Sequence, residues 1–247
     1  MIADIWAMMW KEWHEYIAGG SGGRGRGVFG VLLIIGIVSI LLPLRSGRDW
    51  VTSPGAVLLD GAYLPFTILL NVVADSFAGE RERHTLETLL ASRLSDRAIL
   101  FGKVGAAVAY GWALGLAAAL LQLVVANISH PAAGIAIYPA GTIFSIVVLG
   151  LLVSLLATSA GCLISLRAAT TRQAQQTLGI GFLVLVLVPV VVIQTLPATT
   201  RNQIVAQIVS TSPTQLLLTV SGVLLALDVV LLLAAMARFQ RTRLIMG

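Results

Sequence analysis

"ADSFAGERERHTLETLLASRLSDRAILFGK", residues 74–103, decides how this chain is read. It holds Asp75, Glu80, Arg81, Glu82, Arg83, Glu87, Arg93, Asp96, Arg97 and Lys103, ten of the 27 charged residues (16 basic, 11 acidic) in 247. Around it the sequence is oil. Hydrophobic residues make up 57% of the chain and charged ones 11%, where a soluble domain carries about 25% charge. Such a composition implies an integral membrane protein.

Working outward, six apolar segments appear, near 28–44, 56–74, 104–126, 139–164, 178–196 and 216–237. Each approaches the roughly 20 residues that a membrane-crossing helix needs. The expected fold is therefore all-α, with six transmembrane helices and both termini on one side. Lys and Arg identify that side. Lys11, Arg24 and Arg26 precede the first span. Arg81, Arg83, Arg93, Arg97 and Lys103 follow the second, Arg167 and Arg172 the fourth, and Arg238, Arg241 and Arg243 the last. Only Arg45, Arg48 and Arg201 lie opposite. The positive-inside rule makes the richer side cytoplasmic, so segment 75–103 becomes a cytosolic loop between spans two and three. The same retention accounts for the +5 net charge without nucleic acid. The single cysteine, Cys162, and three scattered histidines offer neither a disulfide framework nor a metal site.

Residues 1–17 alternate with helical period. Ile2, Ile5, Trp6, Met9, Trp10, Trp13, Tyr16 and Ile17 fall on one face, with Asp4, Lys11, Glu12, His14 and Glu15 mostly on the other. Trp on the apolar side suits a helix lying in the headgroup layer; the alternative is a helix packed on the protein's own core. "GGSGGRGRG" (19–27) reads as a flexible linker. It lacks the Gly-Lys-Ser/Thr ending of a phosphate loop, so no nucleotide-hydrolysis site, catalytic residue or bound cofactor is expected in this chain. The expected organisation is 1–27 amphipathic helix and linker, 28–237 membrane domain, and 238–247 basic cytosolic tail.

Within the charged loop, Leu86, Leu89 and Leu90 share a helix face. Glu80 has Arg83 and His84 within helical reach, and Ser95 is placed to cap a new helix that begins with Asp96. Five basic and five acidic residues cancel, which disfavours anionic lipid as the target. The leucine ridge points to docking on a cytosolic partner; a solvated connector is the alternative.

"FAGERERHTLETLLASRLSDRAILFGK" resembles the signature of the membrane subunits of type-2 ABC transporters. Glu80, Glu82, Thr85, Leu86, Glu87, Leu89, Leu90, Leu94, Ser95, Gly102 and Lys103 match. His84 replaces the usual Gly and Arg93 the usual Pro. "WKEWHEYI" (10–17) is similar to the family's interface helix, and the six-span layout, "RAATTRQAQQT" (167–177) and Ser212–Pro213 fit too. The resemblance implies a permease of the exporter type in the plasma (inner) membrane of a prokaryote. A second permease subunit, identical or related, and two copies of a cytosolic ATPase holding ATP and Mg would complete it. It implies an ATPase-docking, coupling role for Glu80, Arg81, Glu82, Arg83, Thr85, Leu86, Glu87, Leu89 and Leu90. An interface role follows for Trp6, Trp10, Lys11, Glu12 and Trp13.

Inside the spans, Asp228 is a candidate for a transport pathway, with packing against Gln122 or Thr219 as the alternative. Asn71 is a second candidate, or a bond to a neighbouring helix; Asp60 is expected to reach water. Gly111 and Gly115, with Gly150, Ser154, Thr158 and Gly161, suit close helix packing. Pro65 and Pro189 should bend spans two and five. Ile204, Val205, Ile208 and Val209 suggest a short outer helix. Two other classes remain: a secondary transporter or channel, and a non-transporting anchor that recruits a cytosolic partner.

Overall fold

A computed structural model of the protein describes residues 2–17, 24–85, 91–131 and 134–239, some side chains within 24–34 and in the later helices excepted. Among them every regular element is helical. In chain order these are α1 (Ile2–Ile17), α2 (Arg24–Ser46), α3 (Arg48–Thr52), α4 (Pro54–Leu58), a π-helical turn (Leu59–Tyr63), α5 (Leu64–Asp75) and α6 (Ala78–Glu82). Then follow α7 (Asp96–Ser129), α8 (Ala140–Ser165), α9 (Thr171–Thr195), α10 (Ala198–Ser210) and α11 (Pro213–Arg238).

Five helices are long and apolar enough to cross a membrane: Pro54–Glu82, Asp96–Ser129, Ala140–Ser165, Thr171–Thr195 and Pro213–Arg238. The expected first span is helical, but its described apolar part, Ile35–Ser46, is shorter than a crossing. Two boundaries differ from expectation. α2 starts at Arg24, inside the stretch read as linker, because a helix once nucleated in the apolar run adds residues cheaply at its end. α7 starts at Asp96, eight residues before its apolar run. Ser95 accounts for that: its Oγ accepts the Ala98 N–H at 3.2 Å and fixes the first turn. The leucine ridge at Leu86, Leu89 and Leu90, with Glu87, lies outside the described residues, as do Arg241 and Arg243 of the tail.

Small residues set how closely the helices cross. On α7, a Cβ added at Gly111 would meet Leu69 of α5 at 2.7 Å, and one at Gly115 would meet Pro65 at 3.1 Å. On α8, Gly161 faces Val73 and Gly150 faces Trp112. The GxxxG pair is thus a helix-packing seam between α5 and α7. The main core collects Phe66, Leu69, Val73 and Phe77 with Ile99, Leu100, Val104, Val153, Ala157 and Phe239. Pro65 falls just after the π turn. A proline ring collides with the carbonyl four residues back, here Gly61, and the wider turn is where the helix gives way. Asp60, in that turn, is not at water. It is 1% exposed and accepts a 2.7 Å bond from Gln122 of α7, because the turn carries its side chain into the seam.

α1 lies against α7. A Cβ at Gly102 would stand 2.5 Å from Met8 Cβ and 3.2 Å from the Ile5 carbonyl. Trp13 meets Tyr110 edge-on at 6.1 Å, and Tyr16 meets it at 5.4 Å. Substituting Gly102→Val should therefore lift α1 off α7 and lower stability by about 1–3 kcal/mol, the usual toll of overpacking. Gly179→Ala, which adds a Cβ into open space within α9, should hold or raise the melting temperature in detergent.

Candidate functional site: a charged joint at one end of the bundle

Three separate elements bring charge to one buried point. The Lys103 ammonium on α7 donates to Glu12 of α1 at 2.8 Å and to Glu80 of α6 at 2.9 Å. All three are withdrawn from solvent: Lys103 and Glu12 are 2% exposed and Glu80 is 7%. Phe77 places its ring 5.4 Å from the ammonium. Lys11 reaches in from the rim, 3.4 Å from Glu12, 3.2 Å from Glu15 and 3.6 Å from Glu80. Tyr16 donates to the other Glu12 oxygen at 3.3 Å. The second oxygen of Glu80 is buried with no hydrogen-bond partner among the described residues.

Burial pushes the Glu12 carboxyl up, but Lys103 and then Lys11 more than offset it, so it sits below its ordinary value. Glu12 is therefore not on the water face where helical periodicity put it. The buried face of α1 runs through Met8 and Glu12, while Trp6 and Trp10 are 65% and 59% exposed.

The rest of the Glu-Arg-Glu-Arg run is also spent inside the chain. Glu80 does not turn to Arg83 or His84; Arg83 instead pairs with Asp75 at 3.0 Å. Gly79 permits that pair, since a Cβ there would overlap the Asp75 carboxylate. The Arg81 guanidinium donates to the Ala168 carbonyl and, at 3.0 Å, to that of Leu166, just past the end of α8. The Glu82 carboxylate accepts from the Thr171 N–H and from its hydroxyl, both at 3.0 Å, at the start of α9. Ser165 closes the same seam, donating to the Ala74 carbonyl at 2.9 Å and accepting from Phe77 and Ala78 N–H. Sequence reading did not place Lys103, Ser165 or Thr171 at the site. The Gly102–Lys103 match carried a signal for Lys103, and the stretch 167–177 one for Thr171; Ser165 had none.

α6 ends in a Schellman motif. The Thr85 N–H donates to the Glu80 carbonyl at 2.9 Å and His84 N–H to that of Arg81 at 3.1 Å. His84 sits at φ 56°, in the left-handed region. The residue standing where the signature usually has glycine thus keeps a glycine's backbone, at a steric cost that His tolerates better than most.

The family model described as ABC-2 family transporter protein matches residues 61–237. The chain belongs to the ABC-2 transporter family. It is accordingly a multi-pass membrane protein of the permease kind, a subunit class that pairs with an ABC ATPase. The match takes in Glu80 and Lys103 and begins well after Glu12, so the joint ties an element outside the matched region to two inside it. No curated protein matches the chain.

Other candidates stand apart from the joint. Asn71 on α5 accepts a 3.0 Å bond from Gln175 on α9, a link between helices. Asp228 on α11 is fully buried with both oxygens unpartnered among the described residues. Neither suggested mate serves it: Gln122 bonds Asp60, and Thr219 bonds the Gln215 carbonyl.

Two outcomes follow. Replacing His84 with Gly should raise stability by about 1 kcal/mol by removing left-handed strain, while His84→Val should lower it; thermal unfolding in detergent reads both. Because the folded Glu12 pKa is depressed, its contribution to holding α1 is present above the usual carboxylate range and is lost as pH falls through the folded value. With Trp13 as the sole tryptophan, its fluorescence should stay flat from neutral pH to about 5 and change only in stronger acid.

Proposed function

We propose that this chain is the membrane subunit of an ATP-driven exporter with six spans and both termini in the cytosol. α2 supplies the first span. A cytosolic ATPase, in two copies that hold ATP and Mg, docks on the segment following α6, and a second permease subunit, identical or related, completes the pathway. The protein sits in the plasma (inner) membrane of a prokaryote. This chain carries no catalytic residue.

The observation that carries this reading is the joint itself. Within an ABC-2 chain, the charged segment has its first half, Glu80–Arg83, paired with Lys11 of α1 at 3.6 Å and bonded to α5, α7, the start of α9 and the residues just past α8. Docking then falls to the second half, with Glu87 and the leucine ridge as contacts, and Thr85 at the junction. A push there would reach the bundle through Glu80 and Lys103. Trp6 and Trp10 face outward on α1, suited to the cytosolic headgroup layer, where Lys11 also reaches water.

Replacing Leu86, Leu89 and Leu90 with serine should release the ATPase in a detergent pull-down while the permease still inserts and keeps its melting temperature. Retained co-purification would overturn the docking assignment. Asp228, a buried carboxyl group with no bonded mate among the described residues, is proposed to serve the pathway. Asp228→Asn should impair cargo movement and leave ATPase co-purification unchanged; unimpaired movement would remove it from the pathway.

A further inference from the structure

The strap from α6 to the α8–α9 loop has a consequence for which span moves. Its bonds join three successive points along the chain: Ser165 to the α5–α6 corner, Arg81 to the carbonyls of Leu166 and Ala168, and Glu82 to Thr171. The first two turns of α9 continue the same contact. Ala174 and Leu178 are buried against Ala74, Ala78 and Ala168, and Gln175 bonds Asn71. Further along α9 the side chains of Ile180, Leu183, Val184, Leu185, Leu187 and Val188 are exposed. The helix is thus gripped at its base by α5, α6 and the end of α8, with Phe182 stacked on Phe66 at 4.0 Å one turn further on, and its outward face is left uncovered by this chain.

Charge chemistry makes the grip directional. Arg81 faces carbonyls left without intrahelical partners where α8 ends, the negative end of that helix. Glu82 faces the positive start of α9 and supplies the partner that the Thr171 N–H lacks within the helix. One dipeptide therefore holds two helix ends of opposite polarity, and letting go hands those backbone groups to water and frees the two ends from α6. Resting on the reading of this chain as an ATPase-driven permease, we infer that Arg81 and Glu82 are positioning residues that carry the movement of the docking segment to α9, making α9 the driven span. Their role is transmission rather than ATPase contact.

The test uses the full chain with its ATPase in nanodiscs, in a Cys162→Ala background, with spin labels at Val191 on α9 and Leu120 on α7, both exposed. The wild-type distance should change when ATP is added with a non-hydrolysing ATPase variant. Glu82→Ala and Arg81→Ala should co-purify with the ATPase and lose that change, and Glu82→Gln, which still accepts from Thr171, should restore most of it. A wild-type-sized change in the alanine variants would overturn the inference. So would loss of ATPase binding by them, since that would make the pair a docking contact. A wild-type chain that recruits no ATPase would overturn the permease reading itself.

Discussion

Everything at this end of the protein turns on one ammonium group. Lys103 is 2% exposed and lies near the start of a helix made mostly of small and apolar side chains. Alone it would be untenable there. Glu12 and Glu80 make it stable, and each comes from a different element, so three chain segments must be in place at once. Buried ion pairs contribute little net stability compared with apolar packing, yet losing one partner is costly because a bare charge remains. The arrangement is better at specifying where α1 and α6 sit than at strengthening the fold.

Close approach makes the geometry possible. Gly102, one residue before Lys103, lets α1 lie against α7, and Gly79, one residue before Glu80, leaves room for the Asp75–Arg83 pair. Small residues and buried charge thus act as a set: glycines bring backbones near, and the adjacent charged residue uses the proximity. The left-handed His84 then turns the chain away from α6. Electrostatics, packing and backbone conformation all define α6 as a fixed corner, which is what the proposed coupling role asks of it.

Much of this architecture was legible in the sequence. The apolar runs mark the helices because only a helix satisfies every backbone group locally in lipid. Ser95 announces the start of α7, and Leu86–Leu90 with the flanking charges announce the family. The internal use of those charges was not legible. Helical spacing offered Glu80 the neighbours Arg83 and His84, but α6 ends at Glu82, so the periodicity that argument needs runs out. Its real partner is 23 residues away and Glu12 is 91 from Lys103, separations that no local pattern encodes. Glu12 was assigned to water for the same reason: amphipathicity sorts residues by polarity and cannot see a compensating charge on another helix. Asp60 was misplaced because depth along a span says nothing of which face a π turn presents.

Glu12, Lys103 and Glu80 act as one unit. The most direct test is a double-mutant cycle of Glu12→Gln and Lys103→Met on the docking of α1 against α7, followed by spin labels on the two helices. Contacting charged residues in one network show coupling of about 0.5–3 kcal/mol. The account predicts a value in the upper half of that range, with the double variant docking better than Lys103→Met alone would suggest. Additive effects, with each substitution shifting the docking equilibrium independently of the other, would contradict it.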